Sequence, residues 1–206
     1  MTLRARLFAF FPVAWLAASL ALFYGLVAEP TPGAALALIA FVYLAPVACF
    51  RVHEALWPVP EGRSRLDLPG YSPWWGAHQF QLPYLAFPAL EAALRLVPGA
   101  YSAWLRLWGS RVGRRVHWTP RVDIVDRSLL VIGDDVIFGD RVACYCHLVK
   151  RRGDGLLLYV RRVQVGDGVL LGAGCRLGPG VKIDDRAVIE SRTDVMIGRR
   201  VRAAAA

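Results

Sequence analysis

Charge is missing from two long stretches of this 206-residue chain: none occurs from Leu7 to Ala28, and none from Pro30 to Phe50. A helix needs about 20 apolar residues to cross the roughly 30 Å hydrocarbon layer of a bilayer, and each stretch is that long. The first is too long for the apolar part of a cleavable leader, and it runs through "VAEPTPG" straight into the second. Together they predict a transmembrane helical hairpin over residues 1–52. The connecting "AEPTPG" lacks basic residues, whereas Arg4 and Arg6 precede the first stretch and Arg51, Arg63 and Arg65 follow the second. Basic residues gather on the cytoplasmic side. Both termini and the bulk of the chain are therefore expected on the cytoplasmic side of the inner membrane.

Cysteine and histidine are scarce, at four residues each. Cys49 falls in the second apolar stretch. Cys144, Cys146 and Cys175 fall in the part expected in the cytosol, where thiols stay reduced, so no disulfide is expected. Beyond His117 the only histidine is His147. The net charge of +9 suits a protein lying against anionic lipid. It would also suit nucleic acid, but the two apolar stretches point to the membrane instead.

Residues 53–110 read as a juxtamembrane linker with interfacial helices. "LPGYSPWWGAHQFQLPYLAFPAL" is uncharged but carries Pro69, Pro73, Pro83 and Pro88, a density that breaks a spanning helix. The Trp74–Trp75 pair suits the headgroup layer. "PALEAALRLVPG" and "YSAWLRLWG" read as short amphipathic helices. Trp104, Leu105 and Trp108 share one side of the second, either packed on the domain or lying in the membrane surface.

From residue 111 to 206 a repeat takes over. Val112-Gly113 opens it, and Ile132-Gly133 and Phe138-Gly139 are six apart. Val165-Gly166, Leu171-Gly172, Leu177-Gly178, Ile183-Asp184 and Ile189-Glu190 hold a step of six, and Ile197-Gly198 follows after a two-residue slip. Six residues make one small strand and a turn, and three such units make one triangular coil. The aliphatic residue points inward, and the next residue is expected near the corner, where glycine is favoured. Val136, Val142, Val169, Cys175, Val181, Ala187 and Thr193 fill a second, smaller inward slot. The pattern predicts a mainly β protein, a parallel β-helix of about five coils whose neighbours share one core. The helices before residue 110 are expected to cap one end, and the tail "RVRAAAA" the other. The rhythm breaks between Val142 and Val163, with a loop over residues 147–163 that starts at His147. A six-residue repeat is interrupted where the chain places something outside the prism.

"WLRLWGSRVGRRV", "IGDDVIFGD" and "VGDGVLLGAGCRLGPGVKIDDRAVIES" resemble the left-handed β-helix hexapeptide-repeat acyltransferases, over about residues 104–202. More narrowly they resemble the membrane-associated members. Those carry "TH" in a non-repeat loop where this chain has Cys146-His147, followed by "VQVG". Relatives often continue with an acidic residue and an arginine, as in "HLFEDR". Here "HLVKRRGDG" puts Lys150 in the place of the acid, in a longer loop.

The resemblance implies acyl transfer from a thioester, acyl-CoA or an acyl carrier protein, to a hydroxyl or amine. The acceptor would be a small or lipid-linked molecule, and the assembly a homotrimer. It makes His147 the general base, since a neutral imidazole can take the acceptor's proton. Gly172, Ala173 and Gly174 would let a pantetheine arm approach the backbone. Arg192 and Arg199, with Arg176, Lys182 and Arg200, are candidates for the CoA phosphates. Asp126, Asp140 and Asp154 are candidates to orient His147. Lys150, Arg151, Arg152, Arg161 and Arg162 bracket "GDGLLLYV" and could grip lipid headgroups or an acidic carrier. His53, His78 and His117 are read as structural or interfacial.

No metal is expected. "CYCH" offers two thiols and an imidazole, but no second ligand cluster follows, and structural zinc takes four ligands. A carbonic anhydrase of this fold would need three histidines. The alternative of another class is a non-catalytic membrane-tethered scaffold, which would be indifferent to His147→Ala.

Overall fold

The computed structural model describes residues 2–203. Met1 and Ala204–Ala206 lie outside the described residues, so the end of the tail expected as a cap is not part of the description. The chain forms two compact units. The first takes the residues up to Pro60 together with Pro69–Ala86, and the second takes Glu61–Leu68 and the chain from Phe87 on. Residues 53–110 are therefore not one linker block: they are shared between the two units.

In the first unit, α1 (Leu3–Ala9) and α2 (Phe11–Ala28) meet at Phe10, with Pro12 in the first turn of α2, where its missing N–H is no loss. The Thr2 hydroxyl caps α1 by accepting the Ala5 N–H at 3.2 Å. Thr31 caps α3 (Pro32–Leu56) in the same way, accepting the Ala34 N–H at 3.1 Å. Leu3–Ala28 and Pro32–Leu56 are both long and apolar enough to cross a membrane. The second of these runs past the charge-free stretch to include Arg51, His53 and Glu54. Leu20, Phe23, Val27, Leu36, Ile39 and Leu44 are exposed.

Residues 68–90 hold no helix long enough to span, as expected, while the reading of Trp74 is corrected. Helix α4 (Pro73–Ala86) runs through Pro83 without ending. At 1.5 Å per residue it is about 21 Å long, short of a bilayer core. Trp74 does not sit in an exposed headgroup position: it is buried and stacks on His78 at 5.2 Å. The Trp75 indole donates to the Ala5 carbonyl at 3.2 Å. His53 is buried among Phe8, Trp57 and Phe80, with Nε2 2.5 Å from the Tyr71 hydroxyl, which is a packing role.

The second unit begins with a strand the sequence did not signal, β1 (Gly62–Arg65). Helices α5 (Pro88–Arg95) and α6 (Ala100–Leu107) then cap the coil. Trp104, Leu105 and Trp108 are buried, and the Trp118 indole donates to Ser102 Oγ at 2.8 Å. Of the two readings of this helix, packing on the domain is the one observed.

The first coil is β2 (Arg111–Val112), β3 (His117–Trp118) and β4 (Asp123–Ile124). The second is β5 (Leu130–Ile132), β6 (Ile137–Phe138) and β7 (Ala143–Cys144). A hairpin follows, β8 (His147–Arg152) and β9 (Gly155–Val160), turning at Gly153. The third coil is β10 (Val163–Val165), β11 (Leu170–Leu171) and β12 (Arg176–Leu177). The fourth is β13 (Lys182–Ile183), β14 (Val188–Ile189) and β15 (Asp194–Val195), and β16 (Arg200–Val201) starts a fifth. Leaving the β8–β9 hairpin aside, each strand of the coil pairs in parallel with the third strand after it. One face has five strands (β2, β5, β10, β13, β16), and the other two have four each.

Both inward slots are filled as the repeat predicts. Phe138, Cys144, Leu171 and Leu177 are buried in the larger slot, and Val136, Val142, Val169, Cys175, Val181 and Ala187 in the smaller. The expected slip to Ile197 does not occur. The step of six continues to Val195, which is buried, and then to Val201, while Ile197 is 44% exposed.

The role expected for the repeat glycines is also corrected. The left-handed backbone lies three residues after the inward aliphatic, not one. Gly168, Gly174, Gly180 and Gly198 adopt it, and so do Arg115, Asp135, Arg141, Arg186 and Arg192. The glycine directly after the aliphatic is required by close stacking. A Cβ on Gly139 would lie 2.6 Å from the Leu171 carbonyl oxygen and 2.8 Å from the Ala173 nitrogen in the next coil. Gly139→Ala is therefore expected to cost about 1–3 kcal/mol by overpacking. Gly174→Asn should cost less than Gly139→Ala, because Asn tolerates the left-handed region. Thermal unfolding of the two variants in detergent checks the order.

Candidate active site

The coil departs from its step of six twice, both times at the corner between the β4/β7 face and the β5/β10 face. Ile124 to Ile132 is a step of eight, and Cys144 to Val165 a step of twenty-one. The first break carries Asp126 and the second carries His147. Because the coils stack in register, the two breaks lie one above the other. Asp126 Oδ1 and Oδ2 lie 2.9 and 2.8 Å from His147 Nδ1. The acid side chain is only 3% exposed and the imidazole 17%. Asp126 Oδ2 also accepts the Cys146 N–H at 2.8 Å.

This geometry selects a tautomer. A carboxylate facing Nδ1 holds the proton there and puts the ring's lone pair on Nε2. The result is a base and its orienting acid, the two groups that activate a hydroxyl or amine nucleophile. Of the three acids suggested by the sequence, only Asp126 is brought to His147. Asp140 pairs with Arg121, and the Asp154 side chain is 97% exposed beside Arg65.

A buried network sets the position of Asp126. The next residue, Arg127, is fully buried, and its Nε donates to Glu91 Oε1 at 2.6 Å. Glu91 also accepts from Arg95 at 3.1 Å and from the Tyr101 hydroxyl. The Arg127 carbonyl accepts the Ser110 hydroxyl at 2.7 Å, and Ser110 Oγ accepts the Leu130 N–H at 2.9 Å. Glu91, Arg127 and Ser110 were not read from the sequence. The eight-residue step was the available signal, since a widened corner must satisfy the extra backbone and side chains it introduces.

The cysteines beside His147 are structural. Cys144 and Cys175 are inward-facing, and the Cys146 thiol contacts the Leu129 carbonyl at 3.3 Å. Burial pushes the Cys144 and Cys175 thiols up and the Cys146 thiol well up. A raised thiol pKa keeps the thiolate scarce at pH 8, and the thiolate is the reactive form. Iodoacetamide at pH 8 is expected to leave all three unmodified in the folded protein and to label them after denaturation, as read by peptide mass spectrometry. Among the described residues no group of three His, Cys, Asp or Glu side chains could hold a metal ion.

The residues suggested for CoA fall on two corners. Gly172, Ala173 and Gly174 lie on the corner after β11, and Arg192 lies on the same corner one coil later, its N–H donating to the Ala173 carbonyl at 2.8 Å. Arg199 lies on the His147 corner, after β15. A single chain therefore does not bring the first four to His147. Arg176 and Arg200 pair with Asp194 and Asp184 on the surface. Lys182 is exposed, and so is His117.

No family model and no curated protein matches the chain. Similar solved structures include a hexapeptide-repeat-containing acetyltransferase from Vibrio cholerae. It is 18% identical, with 57% of this chain and 86% of that one covered, at a TM-score of 0.40. The Vibrio cholerae protein complexed with acetyl coenzyme A gives 17%, 58%, 79% and 0.42. A galactoside acetyltransferase in complex with coenzyme A gives 16%, 57%, 74% and 0.39. Likenesses at this level carry no argument about activity, which has to come from the residues.

Proposed function

We propose that this chain is a membrane-anchored acyltransferase built on a left-handed β-helix, with His147 as general base and Asp126 as its orienting acid. The observation that carries this is the Asp126–His147 pair, buried on the acid side and placed where the repeat breaks twice at one corner. The reaction follows from the tautomer. His147 Nε2 takes the proton of an acceptor hydroxyl or amine as its oxygen or nitrogen attacks the thioester carbonyl. The tetrahedral intermediate collapses, the C–S bond breaks, and the imidazolium returns the proton to the departing thiolate. The donor is acyl-CoA or an acyl carrier protein. A backbone N–H of the coil would stabilise the developing oxyanion.

Two further parts of the reading are proposals with their own support. The exposed apolar sides of α2 and α3 suit hydrocarbon rather than water, which favours the membrane anchor. A homotrimer would let His147 of one copy face Gly172–Gly174 and Arg192 of the next. The anchor is tested by carbonate extraction of membranes: the full chain should stay in the pellet, and release into the supernatant would refute the anchor. The activity is tested by transfer of a labelled acyl group in membranes carrying the wild type or His147→Ala.

A further inference from the structure

The hairpin that carries His147 has a second face. Strand β9 pairs with β8 on one side and with β1 on the other, giving a three-stranded antiparallel sheet in the order β1-β9-β8. Tyr159 lies opposite both Arg63 and Leu148, and Leu157 opposite both Arg65 and Lys150. Opposed residues share a face and alternate residues repeat it. Arg63, Tyr159, Leu157, Leu148, Lys150 and Arg152 therefore share one face, while His147 stands on the other. With the Ile197–Gly198 corner of the coil, this face bounds a pocket of about 280 Å³.

The chemistry of the pocket is specific. Its floor is apolar, formed by Leu148, Leu157 and Tyr159. Its rim carries three exposed cations, Arg63, Lys150 and Arg152. Some cations of this unit stand beside acids, Arg65 with Asp67, Arg162 with Glu61, Arg115 with Asp135 and Arg121 with Asp140, while others among the described residues, such as Arg111, Arg151 and Lys182, stand in no ion pair. Among the described residues the three rim cations have no ion-pair partner. Cations around an apolar floor match a molecule that joins an anion to a hydrocarbon chain, and a guanidinium matches phosphate oxygens two at a time. Arg63 sits on the strand that separates α3 from α4 in the chain, seven residues after the end of α3 at Leu56.

We propose that this pocket holds the phosphate and adjoining chain of an amphiphilic acceptor, whose hydroxyl reaches His147 around β8. This rests on the reading of His147 as the base of an acyl transfer. Strand β8 is the outer strand of its sheet, so a ligand can pass its edge. Lys150 is three residues from His147, about 10 Å along the strand. Because His147 and Lys150 stand on opposite faces of β8, the acceptor's reacting hydroxyl lies about 10 Å or more from its phosphate, a longer span than glycerol phosphate offers.

The test uses the full chain in phosphatidylcholine nanodiscs and calorimetric titration with hexyl phosphate, hexanol and inorganic phosphate. Hexyl phosphate should bind at least tenfold more tightly than either fragment. The Lys150→Gln/Arg152→Gln double variant should lose at least tenfold of that affinity with an unchanged melting temperature. His147→Ala should bind like the wild type. Equal binding of hexanol, or no change in the double variant, overturns the proposal. Displacement of hexyl phosphate by CoA assigns the pocket to the donor and also overturns it. Intact hexyl phosphate binding with no acyl transfer from any labelled donor refutes the acceptor role and the base, and leaves only an anion site.

Discussion

Asp126→Asn is expected to slow acyl transfer about 10²–10⁴-fold, close to the loss expected for His147→Ala, with the coil intact. The range is what a positioned general base contributes. The reason lies in the tautomer. An Asn at this position can present its amide N–H₂ to Nδ1 and so draw the lone pair there, away from Nε2. Its carbonyl can still accept the Cys146 N–H, which the carboxylate accepts at 2.8 Å. The corner should therefore keep its shape while the imidazole has the wrong nitrogen protonated. If the two residues act as one unit, the double variant is no slower than the slower single one. Turnover of acyl-CoA by the three variants, with melting temperatures as fold controls, checks this. Losses that multiply in the double variant would mean that Asp126 and His147 act independently.

Arg127→Met is expected to have the largest effect on stability, about 3–5 kcal/mol, because it leaves the buried Glu91 carboxylate short of its closest cation. Arg127 Nε lies 2.6 Å from Glu91, and Arg95 keeps only its 3.1 Å contact. Adding Glu91→Leu should recover only part of the loss, because it removes the stranded carboxylate but leaves the Arg95 guanidinium, whose side chain is 2% exposed, without its acid. Activity should not recover in step. Asp126 follows the backbone of Arg127, whose carbonyl is tied to Ser110 at 2.7 Å, and a loosened corner moves the acid relative to Nδ1. Thermal unfolding and turnover of the single and double variants separate the two effects. An unchanged melting temperature in Arg127→Met would show that the network does not hold the corner.

The inward-facing positions of the coil were legible because period six is a direct record of three faces. The buried slots at Val136, Leu171, Cys175 and Val181 are where that period puts them. The role of the glycines was not legible, because two demands two residues apart both favour glycine. Close stacking explains Gly139, and left-handed backbone explains Gly174 and, without glycine, Arg192. The slip read at Ile197 arose because an exposed Ile-Gly pair resembles the repeat while Val195 holds the frame. Helix α4 was hidden by its prolines: Pro73 opens it, Pro88 lies beyond it, and only Pro83 is interior.

At the site, His147 stood out because the repeat breaks there. Asp126 was one of three equal candidates, since pairing across stacked coils depends on which corner each break occupies. Glu91 was invisible for the same reason, lying 36 positions from the arginine it binds. Strand β1 had too little pattern to announce a third strand beside the hairpin.

One measurement bears most directly on the central claim. Membranes containing the full chain or His147→Ala would receive isotope-labelled acyl-CoA donors, and extracted lipids and metabolites would be compared by untargeted mass spectrometry. A labelled ester or amide formed by the wild type and absent with His147→Ala is the predicted result. The same labelled products from both, with both proteins folded and inserted, would contradict the assignment of His147 as the base.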